Sequence, residues 1–273
     1  LATKTDGTLW AWGQNSKGQF GQNNQTNYSS PIQIGSSTDW KTDKDSIGTA
    51  QQNMAAIKTD GTLWICGFCE QGQLGQNSPT NSHRSSPVQI PGTTWDKLAF
   101  GKSSLYATKT DGTLWAWGYN RYGDAGQNNR FNPGNNGYSS PVQIPGTTWS
   151  IVSAGAGNVK AIKTDGTLWI WGNNAYGTLG LNQDQSPRSS PTQIPGTTWS
   201  SVGESGHDSL ASNYAVKTDG TLWSWGYNYE GQLGLNQAGG TGRRSSPTQV
   251  GSGTDWFSVG KGYVNNIYAW KRI

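Results

Sequence analysis

The sequence predicts an all-β chain folded as a β-propeller of five four-stranded blades. Three observations carry that expectation. The heptapeptide KTDGTLW is written five times, from Lys4, Lys58, Lys109, Lys163 and Lys217, at intervals of 54, 51, 54 and 54 residues. Every apolar run is four to six residues long and bounded by turn residues, with no helical period over eleven residues. In LWAWG, Trp10 and Trp12 fall on one side of a strand and Leu9 and Ala11 on the other, so both faces are apolar and need cover.

Each unit opens at a Trp (Trp40, Trp95, Trp149, Trp199 or Trp256) that begins a first strand such as SIVSAG. A second apolar run, as in KAIKT or NYAVKT, leads into the lysine of the heptapeptide. Asp-Gly follows as a hairpin signal, with both central residues expected at positive φ. TLWAWG is the return strand. A Gly-rich stretch such as YGTLGLN and a variable loop come next, and SSPTQI is the fourth strand, followed by a PGTT link. A meander of four antiparallel strands, repeated with both faces buried, is a propeller blade. A catalytic motif is needed once; a motif needed five times is a structural joint.

The expected blades are residues 40–94, 95–148, 149–198 and 199–255, with a first blade made of 1–39 plus 256–273. The tail WFSVGKGYVNNIYAWKRI repeats the first two strands of a unit, and IYAWK aligns with LYATK at Leu105. The ring is therefore expected to close by pairing the N- and C-terminal segments, which leaves no free sheet edge. The alternative is an arc of a longer six- or seven-bladed ring.

The segments GTLWAWGYNRYGDAGQN and GTLWSWGYNYEGQLGLN, each followed by SSP and a short strand, resemble the repeats of the regulator of chromosome condensation family. The resemblance covers essentially the whole chain and implies a β-propeller, usually of seven blades. The histidine that family members usually carry after the first strand is absent, and Ser104 and Asn158 stand near its place. The resemblance therefore supports the fold and lends little to the nucleotide-exchange activity of the family's founder.

Composition narrows the function. With 39 Gly, 15 Trp and 13% charged residues, the chain is rich in loops but draws its core from aromatic rings. The net charge of +4 is weak for a polyanion binder, so nucleic acid is not an expected partner. No run reaches the length of a membrane span, and no membrane insertion is expected. The chain opens at Leu1 in the middle of a repeat, so the sequence reads as processed or as one piece of a longer product.

Cys66 stands where other blades carry Trp, and Cys69 where they carry Asn, so the CGFC stretch reads as two substitutions, with a local disulfide as the alternative. Zinc would need a second ligand pair, which is missing. Only two histidines and three glutamates are present, and no nucleophile, base and orienting carboxylate assemble. No enzyme activity, metal or cofactor is expected.

Insertions point to one end of the blades. Trp to Lys spans 14 residues in blades three and four but 18 in blades two and five. The loop before SSP also varies and carries Arg84, Arg130, Arg188, Arg243 and Arg244, five of the seven arginines, with Tyr28, His83, Phe131 and Tyr138. His207 lies in an insertion expected at the same end. Arginine among aromatics is the composition of binding hot spots, so these ten residues form the expected partner face. The leading functional expectation is a non-enzymatic binding or structural propeller outside the cell, a phage virion component or a bacterial surface or secreted protein, that contacts a protein or glycan on a host or assembly surface. A multivalent carbohydrate-binding lectin is one alternative; a nucleotide-exchange-type or chromatin-binding propeller is another.

Overall fold

The computed structural model describes residues 1–50, 52–77, 83–131, 137–155, 157–182, 185–205, 210–260, 262 and 267–272. It falls into two compact units, Leu1–Asn120 with Pro133–Ile144, and Arg121–Asn132 with Pro145–Ile273.

The first unit holds three sheets. Strands β1 (Ala2–Thr3), β2 (Leu9–Gly13) and β3 (Tyr28–Gln33) form a three-stranded one. Four strands make the next: β4 (Ile47–Thr49), β5 (Asn53–Ile57), β6 (Leu63–Gly67) and β7 (Arg84–Gln89). The third joins β8 (Trp95–Phe100), β9 (Ser104–Lys109), β10 (Leu114–Tyr119) and β11 (Gly137–Ile144). The second unit begins with the sheet of β12 (Trp149–Ala154), β13 (Asn158–Lys163), β14 (Leu168–Gly172) and β15 (Arg188–Ile194). It continues with β16 (Trp199–Ser205), β17 (Ser212–Lys217), β18 (Leu222–Gly226) and β19 (Arg244–Gln249). It ends in the two-stranded pair β20 (Trp256–Val259) and β21 (Ala269–Lys271).

All ladders are antiparallel and every four-stranded sheet is a simple meander, as the repeat implies. The described strands make six sheets rather than five. The strand beside Leu9–Gly13 is Ala2–Thr3. Within the tail, Trp256 lies opposite Lys271 and Val259 opposite Ala269.

Each letter of the heptapeptide has a structural task. In the first copy Lys4 donates its N–H to Thr8 and accepts from Gly7, both at 3.0 Å, so Thr5 and Asp6 are the central turn residues. Only the glycines, Gly7, Gly61, Gly112, Gly166 and Gly220, have positive φ, between +77° and +79°. The expectation of positive φ at Asp is corrected. The turn is the three-residue kind, with a left-handed glycine after two ordinary residues. The Asp6 carboxylate is then free to accept from the Thr8 N–H at 3.0 Å and its hydroxyl at 2.6 Å, and that hydroxyl accepts from Trp10 Nε1 at 2.8 Å. All five turn aspartates hold their pKa below the ordinary value, chiefly because the threonine hydroxyl donates to them.

The hairpin also receives the chain entering the next sheet. Gly7, Gly61, Gly166 and Gly220 accept from the backbone N–H of Trp40, Trp95, Trp199 and Trp256 at 2.9 to 3.2 Å. This joint is the reason the heptapeptide recurs.

Successive sheets are tied by the second Trp of the WxWG motif. Trp117 Nε1 donates to Gln73 O at 3.0 Å, Trp171 to Asp124 O at 2.7 Å, and Trp225 to Thr178 O at 3.1 Å. Cys66, in the same place, donates its thiol to Gln19 O at 3.2 Å. The substitution therefore keeps the tie. Both cysteines are free and buried, and burial pushes the Cys66 thiol up to about 12.

Trp117 is buried as the sequence implies, whereas Trp115 is only half-buried under the Lys109 chain.

Asp124 occupies the turn position held elsewhere by Gln19, Gln73 and Gln232, and accepts the Tyr122 N–H at 3.0 Å. Burial raises its pKa to about 7. The folded state thus keeps a proton that the unfolded state loses near pH ~4, so stability falls as pH rises from there through about 7. Asp124→Asn keeps the acceptor and removes the charge. We expect it to stabilise the protein by roughly 2–4 kcal/mol at pH 8 and by little at pH 4, read from urea unfolding at both values.

Candidate functional site

The end of each sheet opposite the Asp-Gly turn is shaped by the glycine that closes the third strand. Gly13, Gly67, Gly118, Gly172 and Gly226 sit at φ between +89° and +112°, where the ladder to the fourth strand slips by a bulge. A Cβ on Gly172 would lie 2.3 Å from Gly157 O, so the position admits no side chain.

A buried asparagine two residues later then organises the loop. Asn15, Asn174 and Asn228 accept through Oδ1 from the N–H of Phe20, Leu179 and Leu233 at 2.8 to 2.9 Å. Asn228 Nδ2 donates to Gln237 O and Gly242 O at 2.8 and 3.0 Å, drawing the far side of the loop inward. Cys69 cannot do this. In its repeat, His83 Nδ1 accepts from the Cys69 N–H at 3.0 Å and the imidazole stacks on Phe68 at 4.9 Å, so His83 braces its loop.

The residues expected at a partner face divide cleanly. Tyr28, Arg84, Arg188 and Arg244 take one equivalent place, opposite the third-strand glycine of their own sheets, and Tyr138 pairs with Gly118 in the same way. His83, Arg130, Phe131 and Arg243 lie in the loops just before those strands. All nine are therefore at the end of their sheet away from the Asp-Gly turn. His207 lies outside the described residues.

Two adjacent arginines differ in role. Arg244 donates to the carbonyls of Gly242 and Arg243 at 3.3 and 3.0 Å and to the Gln237 carboxamide, so it holds the loop closed. Arg243 is exposed and lines a cavity of ≈ 360 Å³.

That cavity is a recessed surface at this end of its sheets. Its walls are Tyr176, Tyr227, Tyr229 and Arg243, with Asn228, Gly239 and Gly240 at its base. Tyr176 meets Tyr227 edge-on at 5.3 Å, and Tyr227 runs nearly parallel to Tyr229 at 6.4 Å. Tyr176 is 40% exposed and Tyr229 58%, so both rings offer apolar surface to a partner. Tyr176 also sits at φ +62°, the left-handed region that side chains seldom adopt, so the loop holds its ring outward against a backbone cost. Burial first, and then the Glu230 carboxylate, raise the Tyr227 pKa.

Sequence reasoning found Arg243 but missed the three tyrosines. Their signal was present in NNAYG and GYNYEG, where Tyr occupies positions flanking or following the buried Asn.

Among the described residues no group of three or more His, Cys, Asp or Glu could hold a metal ion. No described helix is long and apolar enough to cross a membrane.

The regulator of chromosome condensation (RCC1) repeat matches residues 6–42, 165–203 and 219–262. The ultraviolet-B receptor UVR8 of Arabidopsis thaliana is 25% identical over 281 residues, covering 97% of this chain and 60% of the receptor. The mitochondrial RCC1 domain-containing protein RUG3 of the same plant is 25% identical over 245 residues, covering 86% of this chain and 53% of RUG3. The chain thus spans less than two thirds of these relatives.

Two solved structures share the fold. Human WBSCR16 superposes with a TM-score of 0.77 at 20% identity, covering 98% of this chain and 68% of that one. Prp20p of Saccharomyces cerevisiae, described with its binding properties to Gsp1p and histones, gives 0.76 at 18% identity, covering 97% and 64%.

These similarities correct three expectations. The relatives are a light receptor and a mitochondrial protein, and the neighbour binds Gsp1p and histones, so the virion or secreted reading is overturned. With it go the extracellular localisation and the partner on a host or assembly surface, glycan included.

Proposed function

This chain is an RCC1-like repeat β-propeller, and on that premise we propose that it is a non-enzymatic protein-recognition module of the kind that binds regulatory proteins or chromatin. The observation that carries the reading is the cleft of Tyr176, Tyr227, Tyr229 and Arg243. Tyr and Arg are the residues that dominate binding energy at protein interfaces, because each offers a large rigid surface with a polar tip. Here they are grouped on two neighbouring loops, each stapled by a buried Asn, so little entropy is lost when a partner seats on them. The remaining arginines and tyrosines of the fourth-strand ends extend the same surface type to the other sheets.

The ligands named for the yeast neighbour, Gsp1p and histones, are the partners to try first. We expect the chain to bind at least one of the two, and the Tyr176→Ala/Tyr227→Ala/Arg243→Ala variant to bind about tenfold or more weakly. Its melting temperature should stay close to that of the parent, since the rings are at the surface. Calorimetric titration of both proteins decides: no binding to either, or equal binding by the variant, overturns the proposal.

A further inference from the structure

At the other end of the sheets, the heptapeptide lysine lies between two indole faces. Lys109 Nζ stands 4.7 Å from the ring centres of both Trp95 and Trp115. Lys163 is 4.7 Å from both Trp149 and Trp169, and Lys217 is 4.7 and 4.4 Å from Trp199 and Trp223. The ring faces hold each ammonium in place but accept no hydrogen bond of ordinary strength. The turn aspartates Asp111, Asp165 and Asp219 act on these lysines electrostatically, but among the described residues none of the three ammoniums has a carboxylate at ion-pair distance or a hydrogen-bond acceptor.

The two-ring clamp occurs once more, and a one-ring version once, with the acceptor built in. Lys58, over Trp40 and Trp64, is 3.1 Å from Asp39 Oδ1 and also donates to Ser37 Oγ at 3.1 Å. A cavity of ≈ 230 Å³ opens there, lined by Trp40, Lys58, Trp64 and Ser37. Lys271, over Trp256, is 2.9 Å from Asp255 Oδ2.

The difference lies in the link that precedes the first-strand Trp. Where the carboxylate is present, the link is GSSTD (35–39) or GSGTD (251–255). Where it is missing, the link is PGTT (91–94, 145–148 and 195–198), one residue shorter. The short link leaves Gly92, Thr93 and Thr94 and their counterparts exposed. It also forces Thr94, Thr148 and Thr198 to φ of +67°, +67° and +72°, a conformation that β-branched residues resist. The chain thus shows which group its own clamp accepts, and withholds that group from three copies.

We propose that the clamps at Lys109, Lys163 and Lys217 are carboxylate-binding subsites for an acidic segment of a protein partner, each carboxylate taking the place that Asp39 holds on Lys58. A single exposed ion pair contributes little, but a run of acidic residues engaging both the Lys163 and Lys217 clamps, which share one compact unit, gains by effective concentration. The indole walls exclude water from part of each ammonium, which strengthens the pairing relative to a free surface lysine. Each clamp lies at the Asp-Gly-turn end of its own sheet and shares no residue with the tyrosine cleft, so this inference does not rest on the proposed function.

The test uses the whole chain and a fluorescein-labelled decaglutamate peptide, read by anisotropy at low ionic strength. One variant replaces residues 91–94, 145–148 and 195–198 by the GSSTD link the protein already carries. A second is Lys109→Met/Lys163→Met/Lys217→Met. The parent should bind, and both variants should bind about tenfold or more weakly. If the methionine variant fails to fold, the link variant, which retains every lysine and the net fold, decides alone. No binding by the parent, or unchanged binding by the link variant, overturns the inference. Sodium sulfate should displace the peptide no better than sodium chloride of equal ionic strength. Displacement specific to sulfate would mean that the clamps take tetrahedral inorganic anions instead, and would also overturn it.

Discussion

Trp117→Ala is expected to destabilise the protein by about 3–5 kcal/mol, the largest effect of any single substitution considered. The ring is 1% exposed, lies 5.9 Å from Trp95, and donates to Gln73 O at 3.0 Å. Truncation therefore opens a cavity between two sheets and leaves a buried carbonyl without its donor. Trp12 occupies the equivalent place in the first repeat but is 46% exposed, and Trp12→Ala should cost less than about 1 kcal/mol. Urea unfolding of the two variants measures the difference directly. Equal costs would mean that the inter-sheet ties do not carry the stability assigned to them.

Gly166→Val is the second large effect, at about 2 kcal/mol or more. Two causes add. Gly166 has φ +77°, which a β-branched residue resists. A Cβ there would also stand 2.9 Å from Thr198 N, at the backbone the hairpin must receive, while Gly166 O accepts the Trp199 N–H at 3.0 Å. Gly13→Val removes a glycine with φ +105° but meets no atom within 4 Å, so it isolates the conformational part. A melt of Gly166→Val that matches the parent would contradict the joint.

The sequence made the repeat, the strand order and the location of the arginines legible, because each rests on short-range signals. Asp-Gly between apolar runs marks a hairpin whatever surrounds it, and strand alternation alone sends the third-to-fourth loop to the other end. What escaped depends on contacts between repeats. That Cys66 would replace an indole as donor to Gln19 O required knowing which carbonyl lies opposite. The similarity of IYAWK to LYATK marks the tail as strand-forming but does not say which edge it joins. The tyrosine cleft brings Tyr176 of one repeat against Tyr227 of the next, a proximity that sequence spacing does not disclose. The functional setting was misread for another reason. Repeats this regular constrain the fold strongly and the partner hardly at all, since function rests on the site a fold carries and not on the fold itself.

The central claim is that the fivefold heptapeptide builds the frame, and that recognition of the partner lies in the tyrosine and arginine loops at the opposite end. Hydrogen exchange, measured on the chain alone and saturated with whichever of Gsp1p or histones it binds, tests this most directly. Slowed exchange at residues 227–231 and 239–244 and around Tyr176, with the Asp6, Asp60, Asp111, Asp165 and Asp219 turns unchanged, is the expected result. Protection confined to those turns, with the cleft exchanging as in the free protein, would contradict it.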